Sequence, residues 1–471
     1  MARKKKPNIL EEVLVENYAA EGKSLSRVDG KAVFVSGAVP GDVVDVRLSK
    51  NKKDWAEGLA SHFHKYADYR VKPFCEHFGV CGGCQWQMVP YYKQLEFKQK
   101  QVQDQITRIG GVKVPELEPI VGADEDYTTH YRNKLEFTFA NKRYLTNEEL
   151  GNPDISPDTP SAGYHAKGVF NKVVNINTCH LMAEPANLIR ESVKRNALAL
   201  GMDFYDIKAH EGWMRNVIIR LCTTGEIMVN VVINYDAPKQ RKALLDNLLK
   251  DVPAITSLYY TVNAKWNDSI LDRDPVLYFG NPYAVEKLER FEYIIGPKSF
   301  FQTNTRQGEK LYQLTRDMAQ LTGEEVVYDL YCGTGSIGIF VSDHAKKIIG
   351  VEVVEAAIDD AKINAAKNNI NHAEFFAGDV IDICDDAFFV QHGRPDVIIT
   401  DPPRAGMHEK LVNKLLEIEA PVIVYVSCNP ATQARDLKLL DAKYAIERVR
   451  PVDMFPQTHH IENVVRLVLK K

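Results

Sequence analysis

The sequence predicts an α/β protein in three parts: a small β-barrel, a middle segment of mixed strands and helices, and an open parallel α/β sheet. Three observations carry this. Short strands alternate with turn residues up to about residue 70. Cysteines crowd between Cys75 and Cys84. From about residue 300, apolar strands and helical patterns alternate, as a parallel sheet with crossover helices requires. At 471 residues and 45% hydrophobic content, the chain can bury several cores.

The barrel is read from Val13-Leu14-Val15, Lys31 to Val35 and Asp42 to Arg47, separated by Gly37 and Pro40-Gly41, and is assigned residues 1–70. The basic run Met1 to Pro7 is followed by no apolar stretch, and no segment reaches about 18 apolar residues. A soluble, cytoplasmic monomer with no membrane partner is therefore expected. The net charge of −4 hides an asymmetry, because residues 1–113 carry 19 Lys and Arg against 13 Asp and Glu. A basic front end suits a phosphate-rich partner.

The middle segment, residues 71–300, begins with the cysteines and a helical run from Tyr91 to Arg108 that Gly110-Gly111 ends. Asn216 to Leu221 and Glu226 to Ile233 flank Thr223-Thr224-Gly225 as a hairpin, and residues 151–161 are loop by composition. In the last part, residues 301–471, strands are expected at Val326–Tyr331, Ile348–Glu352, Glu374–Phe376, Asp396–Thr400 and Val422–Val426. Helices fall at Glu355–Asn369 and Met407–Ile418, and strands near Tyr444–Val452 and Val464–Leu469 close the sheet.

Open α/β sheets bind ligands beyond the carboxyl ends of their strands. Gly333-Thr-Gly335-Ser-Ile-Gly338 follows the first strand there, and Glu352 ends the second, where an acid can accept hydrogen bonds from ribose hydroxyls. The glycines alone fit NAD or S-adenosylmethionine. Asp329 and Tyr331, just before them, favour the methyl donor, which brings no pyrophosphate. Asp401-Pro-Pro-Arg404 puts a carboxylate at the fourth strand tip, and Cys428 ends the fifth strand before Asn429-Pro430.

A thiolate beside a methyl donor suits one problem in particular. C5 of uracil is a poor nucleophile, but thiolate addition at C6 makes an enolate whose C5 can attack a sulfonium methyl. A base must then remove the C5 proton, and Glu462, in the approach to the final strand, fits that role. Separately, Cys75, Cys81 and Cys84 are too dense for ordinary buried thiols. Cys179 is the best fourth candidate, since Cys332, Cys384 and Cys428 belong to the later sheet and Cys222 lies inside a strand. Spacing alone permits zinc or an iron–sulfur cluster, with a Cys81–Cys84 redox disulfide as the plainer alternative.

Asp401-Pro-Pro-Arg404, Ser427-Cys-Asn-Pro430 and His460-Ile-Glu462, preceded by Phe300-Phe-Gln-Thr-Asn304 and Asp329-Leu-Tyr-Cys-Gly-Thr-Gly335, resemble the S-adenosylmethionine-dependent RNA uracil-5-methyltransferases. The resemblance is greatest to the iron–sulfur 23S rRNA (uracil-5-)-methyltransferases and spans nearly the whole chain. It implies an OB-like TRAM barrel, a central α+β domain and a Rossmann-like methyltransferase domain. It further implies that Cys428 is the nucleophile and Glu462 the base, and that Gln302, Tyr331, Glu352, Asp379 and Asp401 contact the methyl donor. A [4Fe–4S] cluster on Cys75, Cys81, Cys84 and Cys179 and an RNA substrate, 23S rRNA before tRNA, are also implied. Arg132 and Lys134 suit RNA phosphates or a solvated strand edge. An NAD-dependent dehydrogenase would leave Cys428 and Asp401 without a role, and a radical S-adenosylmethionine enzyme would need only three ligating cysteines.

Overall fold

The structure, a computed structural model, describes residues 8–471; the basic run Met1 to Pro7 lies outside the described residues. Residues 9–65 form a curled six-stranded sheet. Its strands are β1 (Ile9–Leu14), β2 (Asn17–Tyr18), β3 (Ser24–Val28), β4 (Lys31–Ser36), β5 (Val43–Asn51) and β6 (Trp55–Lys65), in the order β1-β5-β6-β4-β3-β2. Alternate side chains Val33, Val35, Val44 and Val46 fill its interior, as period-two patterning requires. Asp42, fully buried, closes the exit: it accepts hydrogen bonds from Val39 N (2.7 Å), Ala67 N (2.9 Å) and the Arg70 guanidinium (2.9 and 2.6 Å). The sequence reading missed β3 and β6. Their inward positions hold Ser24 and Ser26 in β3 and Ala56 and Gly58 in β6, and each is held by pairing with β4 rather than by its own apolar pattern.

Helix α1 (Tyr91–Gln105) runs on into a π-helical turn, Ile106–Gly110, that Gly111 ends at φ +61. Although α1 falls in the middle of the sequence, Val102 and Ile106 pack into the carboxy-terminal core. The following segment extends the same sheet, with Val121 bridged to Val452.

The second sheet holds β7 (Lys134–Ala140), β8 (Ser161–Ala166), β9 (Val169–Asn175), β10 (Met214–Leu221), β11 (Ile227–Ile233), β12 (Ser257–Val262) and β13 (Val276–Gly280). Their order is β13-β12-β11-β10-β7-β8-β9. Helices α2 (Ala186–Ala199) and α3 (Pro238–Asp251) bury Ile189, Val193, Leu244 and Leu248 against Phe137, Val217 and Val229 on one face. The expected hairpin is β10–β11, turned at Gly225 (φ +90). Cys222 sits just past the end of β10, not inside it. Lys134 starts β7, which pairs with β8 and β10, so it lies within the sheet and not on a solvated edge.

A short hairpin, β14 (Ala284–Leu288) with β15 (Phe291–Ile295), leads to helix α4 (Thr305–Ala319). The third sheet then forms from β16 (Val326–Leu330), β17 (Lys347–Glu352), β18 (Ala373–Ala377), β19 (Val397–Thr400), β20 (Val422–Ser427), β21 (Tyr444–Val452) and β22 (Glu462–Leu469). Intervening helices are α5 (Ser336–Val341), α6 (Glu355–Lys367), α7 (Val380–Ile383), α8 (Asp386–His392), α9 (Glu409–Ile418) and α10 (Pro430–Leu440). The order is β18-β17-β16-β19-β20-β22-β21, and β16 to β20 are parallel while β22 runs antiparallel to β20. Chain direction through the sheet reverses between β16 and β19, so a crevice opens beyond the carboxyl ends of these two strands. No helix among the described residues is long and apolar enough to cross a membrane.

Candidate active site

The crevice is lined by the tips of five strands. Asp329, next to last in β16, is buried and accepts the Gly338 N–H at 2.8 Å through Oδ2, while Oδ1 is buried with no hydrogen-bond partner. Burial pushes its carboxyl up to about 7. Tyr331 follows at φ +60, and Gly333 (φ +53) and Gly335 (φ +74) carry the backbone round to the start of α5. A Cβ at Gly333 would meet nothing within 4 Å, so the loop stands open on that side, whereas one at Gly335 would strike Phe375. Glu352, ending β17, accepts from Gly333 N (3.3 Å) and Val354 N (3.0 Å). Asp379 follows β18 and caps α7 by accepting from Ile381 N at 2.9 Å. An orphaned carboxylate oxygen, an open glycine loop and a second-strand acid together fit a ligand rich in hydroxyl and amino groups.

Gln302 approaches from the segment before α4. Its carbonyl accepts from Asn133 Nδ2 at 2.8 Å, and the same amide nitrogen reaches Thr305 Oγ1 at 2.8 Å, which ties β7 of the second sheet to this wall of the crevice. Asn304 caps α4 by accepting from Gln307 N and donates from Nδ2 to the Met454 carbonyl at 2.9 Å.

Cys428 leaves β20 where Ser427 pairs with Asn463 of β22, and Glu462, which opens β22, stands one step beyond that rung. Their proximity shows in their electrostatics. Burial first, then Glu462 and Asp401, push the Cys428 thiol up to about 11, while Arg404 pulls it back. Burial and the neighbouring Asp401 raise the Glu462 carboxyl well above the carboxylate range, against Arg404. Asp401 is raised by burial too. Both carboxyls therefore favour the protonated form more than a solvent-exposed carboxylate does.

The loop carrying Asp401 and Arg404 is braced by α10. Asn429 Nδ2 (3.0 Å) and Thr432 Oγ1 (3.2 Å) donate to the Arg404 carbonyl, and Arg435 donates to the carbonyls of Ala405 and Met407, both at 3.0 Å. Asp436, buried, takes Met407 N at 2.8 Å and the Tyr425 hydroxyl at 2.7 Å. Arg404 itself donates to His460 Nδ1 at 3.2 Å, which requires that nitrogen unprotonated; burial, His459 and Arg404 hold His460 down at about 3.

A family model for tRNA (uracil-5-)-methyltransferases matches residues 273–470. The chain is 49% identical to an uncharacterized RNA methyltransferase of Bacteroides thetaiotaomicron over 456 residues, 96% of this chain and 100% of the relative. A Chlorobaculum tepidum RNA methyltransferase is 38% identical over 469 residues, 98% of this chain and 96% of the relative. The chain belongs to the S-adenosylmethionine-dependent RNA uracil-5-methyltransferase family. Among solved structures, the Pyrococcus abyssi tRNA (uracil-54, C5)-methyltransferase in complex with S-adenosyl-L-homocysteine superposes with a TM-score of 0.74 at 28% identity, covering 98% of this chain and 100% of that one.

In this methyltransferase Cys75, Cys81, Cys84 and Cys179 line one small, mostly apolar cavity with Tyr164, Ile176 and Leu181. All four are free thiols, so Cys81 and Cys84 are not joined. Among the described residues no three His, Cys, Asp or Glu side chains are grouped to hold a single metal ion. Gly83 N donates to Cys81 Sγ at 3.4 Å, and the Tyr164 hydroxyl lies 3.9 Å from Cys179 Sγ. Burial raises every one of these thiols, to about 11 at Cys81 and about 12 at Cys84, so a positive group is needed there to hold them as thiolates. Four thiols on one cavity are a donor set of the kind that zinc or an iron–sulfur cluster takes.

Sequence reasoning missed the groups that hold the catalytic loop. Lys98 of α1 donates to Asp453 at 2.6 Å with both side chains fully excluded from solvent, and Gln94, one turn earlier, is buried against Gln457. The signal was present in α1, whose buried stripe Gln94, Lys98, Val102 is helical in spacing but polar at two of three positions. Arg132, read as a phosphate contact, stacks its guanidinium on Phe455 at 5.0 Å.

Proposed function

We propose that this methyltransferase makes 5-methyluridine in large-subunit (23S) ribosomal RNA through a covalent Cys428 adduct. The observation that supports the mechanism most directly is the Cys428–Glu462–Asp401 constellation on adjacent strand ends, next to a crevice suited to the methyl donor. Gln302, Tyr331, Glu352, Asp379 and Asp401 are the groups that hold the donor. S-adenosylmethionine supplies the methyl group and, as a sulfonium, a positive charge near the two carboxyls.

Cys428 Sγ bonds to C6 of the flipped uracil, and the C5–C6 π pair moves toward O4 as an enolate. C5 then takes the methyl group. Glu462 removes the remaining C5 proton, the C5–C6 double bond re-forms, and the C6–Sγ bond breaks to return the thiolate. Asp401 tunes the base, since its charge raises Glu462, and Arg404 favours the thiolate. Cys75, Cys81, Cys84 and Cys179 hold a [4Fe–4S] cluster. With all four thiolates engaged as ligands, a cluster bound there would serve the shape of the protein and supply no reacting site. The curled amino-terminal sheet acts as the TRAM module, and the reaction takes place in the cytoplasm.

A transfer-RNA uridine is the second reading, favoured by the likeness to the archaeal enzyme that acts on tRNA. One experiment separates them. RNA lacking 5-methyluridine is incubated with the protein and labelled donor, and the modified nucleoside is mapped. Label in 23S rRNA supports the first reading, label in tRNA alone the second, and no label in either refutes both. Cys428→Ala must abolish the label, and Glu462→Gln must leave an SDS-resistant protein–RNA adduct.

A further inference from the structure

The segment between β21 and β22, residues 453–461, leads to Glu462 and carries His460, and its first half, Asp453 to Gln457, is held largely by residues from outside the methyltransferase sheet. Gln457 is the centre of this attachment. It sits at φ +67, a left-handed conformation that a residue with a side chain rarely adopts. Its N–H donates to Gln94 Oε1 at 2.9 Å, and Gln94 Nε2 donates back to Gln457 Oε1 at 3.0 Å. Its carbonyl accepts from Gln85 N (2.9 Å) and Trp86 N (3.0 Å), the two residues that directly follow Cys84. Gln94 Nε2 also reaches the carbonyls of Trp86 (3.2 Å) and Val89 (2.9 Å). Gln94 is fully buried, yet this is one amide spanning three separate stretches of chain. Beside it the Tyr131 hydroxyl donates to the Pro456 carbonyl at 2.9 Å.

We infer that Gln94 is a positioning residue for the proton-abstraction step: through its reciprocal amide pair it clamps Gln457 in a strained conformation and so joins the cysteine-rich segment to the loop that presents Glu462. The inference rests on the reading of Glu462 as the base. Cys428 stands on the facing chain, just past the end of β20 and before α10, and is not carried by this loop. Loss of the clamp therefore slows decay of the Cys428 adduct and leaves its formation largely intact. Gln94→Glu keeps the shape and one acceptor but sets a carboxylate against three carbonyl oxygens. Gln457→Gly removes the side-chain half of the pair while accepting the backbone conformation, so it retains the backbone bonds and folds even where Gln94→Glu does not.

The test follows a single turnover on RNA lacking 5-methyluridine, measuring rise and decay of the SDS-resistant adduct together with S-adenosylhomocysteine affinity. Glu462→Gln is the control. If it accumulates no adduct, the base assignment itself fails, and the inference with it. Given that accumulation, Gln94→Glu and Gln457→Gly are expected to decay more slowly than the parent, by about tenfold for whichever variant disrupts the clamp more. Adduct formation should change less than about threefold, and S-adenosylhomocysteine affinity not at all. Unchanged decay in folded Gln457→Gly overturns the inference. A parallel loss of donor affinity, formation and decay also overturns it, because that pattern marks a general structural role.

Discussion

Ser427 of β20 pairs with Asn463 of β22, and the residues one step beyond that rung are Cys428 and Glu462. Antiparallel registry thus sets the thiol and the carboxylate on facing chain ends, and a slip of one residue would turn Glu462 to the opposite face. The rung is pinned to α10: Asn463 Nδ2 donates to Gln433 Oε1 at 2.7 Å, and Gln433 Nε2 donates to the Tyr425 carbonyl at 2.9 Å. Both amides are fully buried.

Asn463→Leu removes that pin and leaves the Gln433 acceptor without a donor. A loss of about 2 kcal/mol in urea unfolding is expected, with slower methyl transfer at unchanged donor affinity. An unaltered unfolding midpoint would show that the register needs no such support.

The pH behaviour follows from the two strand-tip acids. Asp329, raised to about 7, and Asp401, also raised by burial, take up protons below neutrality and present fewer acceptors to the donor. S-adenosylhomocysteine should therefore bind more tightly at pH 8 than at pH 6, with proton release seen as a buffer-dependent heat in calorimetry. For stability the sign is opposite. A carboxyl raised on folding favours the folded state most below its unfolded value, and that advantage is lost as pH rises through about 7. Asp329→Asn should gain on the parent between pH 5 and pH 8, by an amount on the order of 3 kcal/mol. Thermal melts of both proteins across that window check it.

Arg404 acts on the thiol through its charge, pulling Cys428 down against burial and two carboxyls. In Arg404→Gln the alkaline limb of adduct formation should move to higher pH, so that at pH 8 the single-turnover rate falls about tenfold for each pH unit of displacement. A rate loss of the same size at every pH would assign Arg404 to RNA binding instead.

The parallel sheet was legible because buried strands on both faces read as apolar runs. Val326 to Leu330, Val397 to Thr400 and Val422 to Ser427 all form within a residue or two of their expected bounds. The site was legible where chemistry and strand end coincide, at Asp329, Asp401 and Cys428. What could not be read is what depends on distant parts of the chain meeting. Nothing local marks Gln94 and Gln457 as partners across 363 positions, and Asp436 looks like any helix acid until Tyr425 and Met407 converge on it. β3 and β6 place serine, alanine and glycine on their buried faces, which masks the alternation, and form because β4 lies between them.

The four-cysteine cavity makes a compositional prediction. Protein purified without oxygen should carry about four iron atoms and matching sulfide per chain, and Cys179→Ala should lose most of both. Because Gln85 and Trp86 follow Cys84 directly, removing the iron should also raise hydrogen exchange in residues 453–461. Stoichiometric zinc in place of iron would instead select the other metal that the spacing allows.

Lys98 and Asp453 give the sharpest stability test. Both side chains are fully buried, and Asp453 also accepts the Tyr91 hydroxyl at 2.9 Å and its own loop's Phe455 N at 3.0 Å. A charge pair withdrawn from water is costly to assemble, so its net contribution is small, but removing one member strands the other. Lys98→Met should therefore cost about 3–5 kcal/mol, since Asp453 keeps its charge with only neutral donors. The double variant Lys98→Met, Asp453→Asn should recover much of that loss, because the asparagine can still accept from Tyr91 and Phe455 while no charge is buried. Urea unfolding of the parent, both single variants and the double variant closes the cycle. Additive single-variant losses would show that the ammonium and the carboxylate do not depend on one another, and that α1 is held to the catalytic loop by its amide contacts alone.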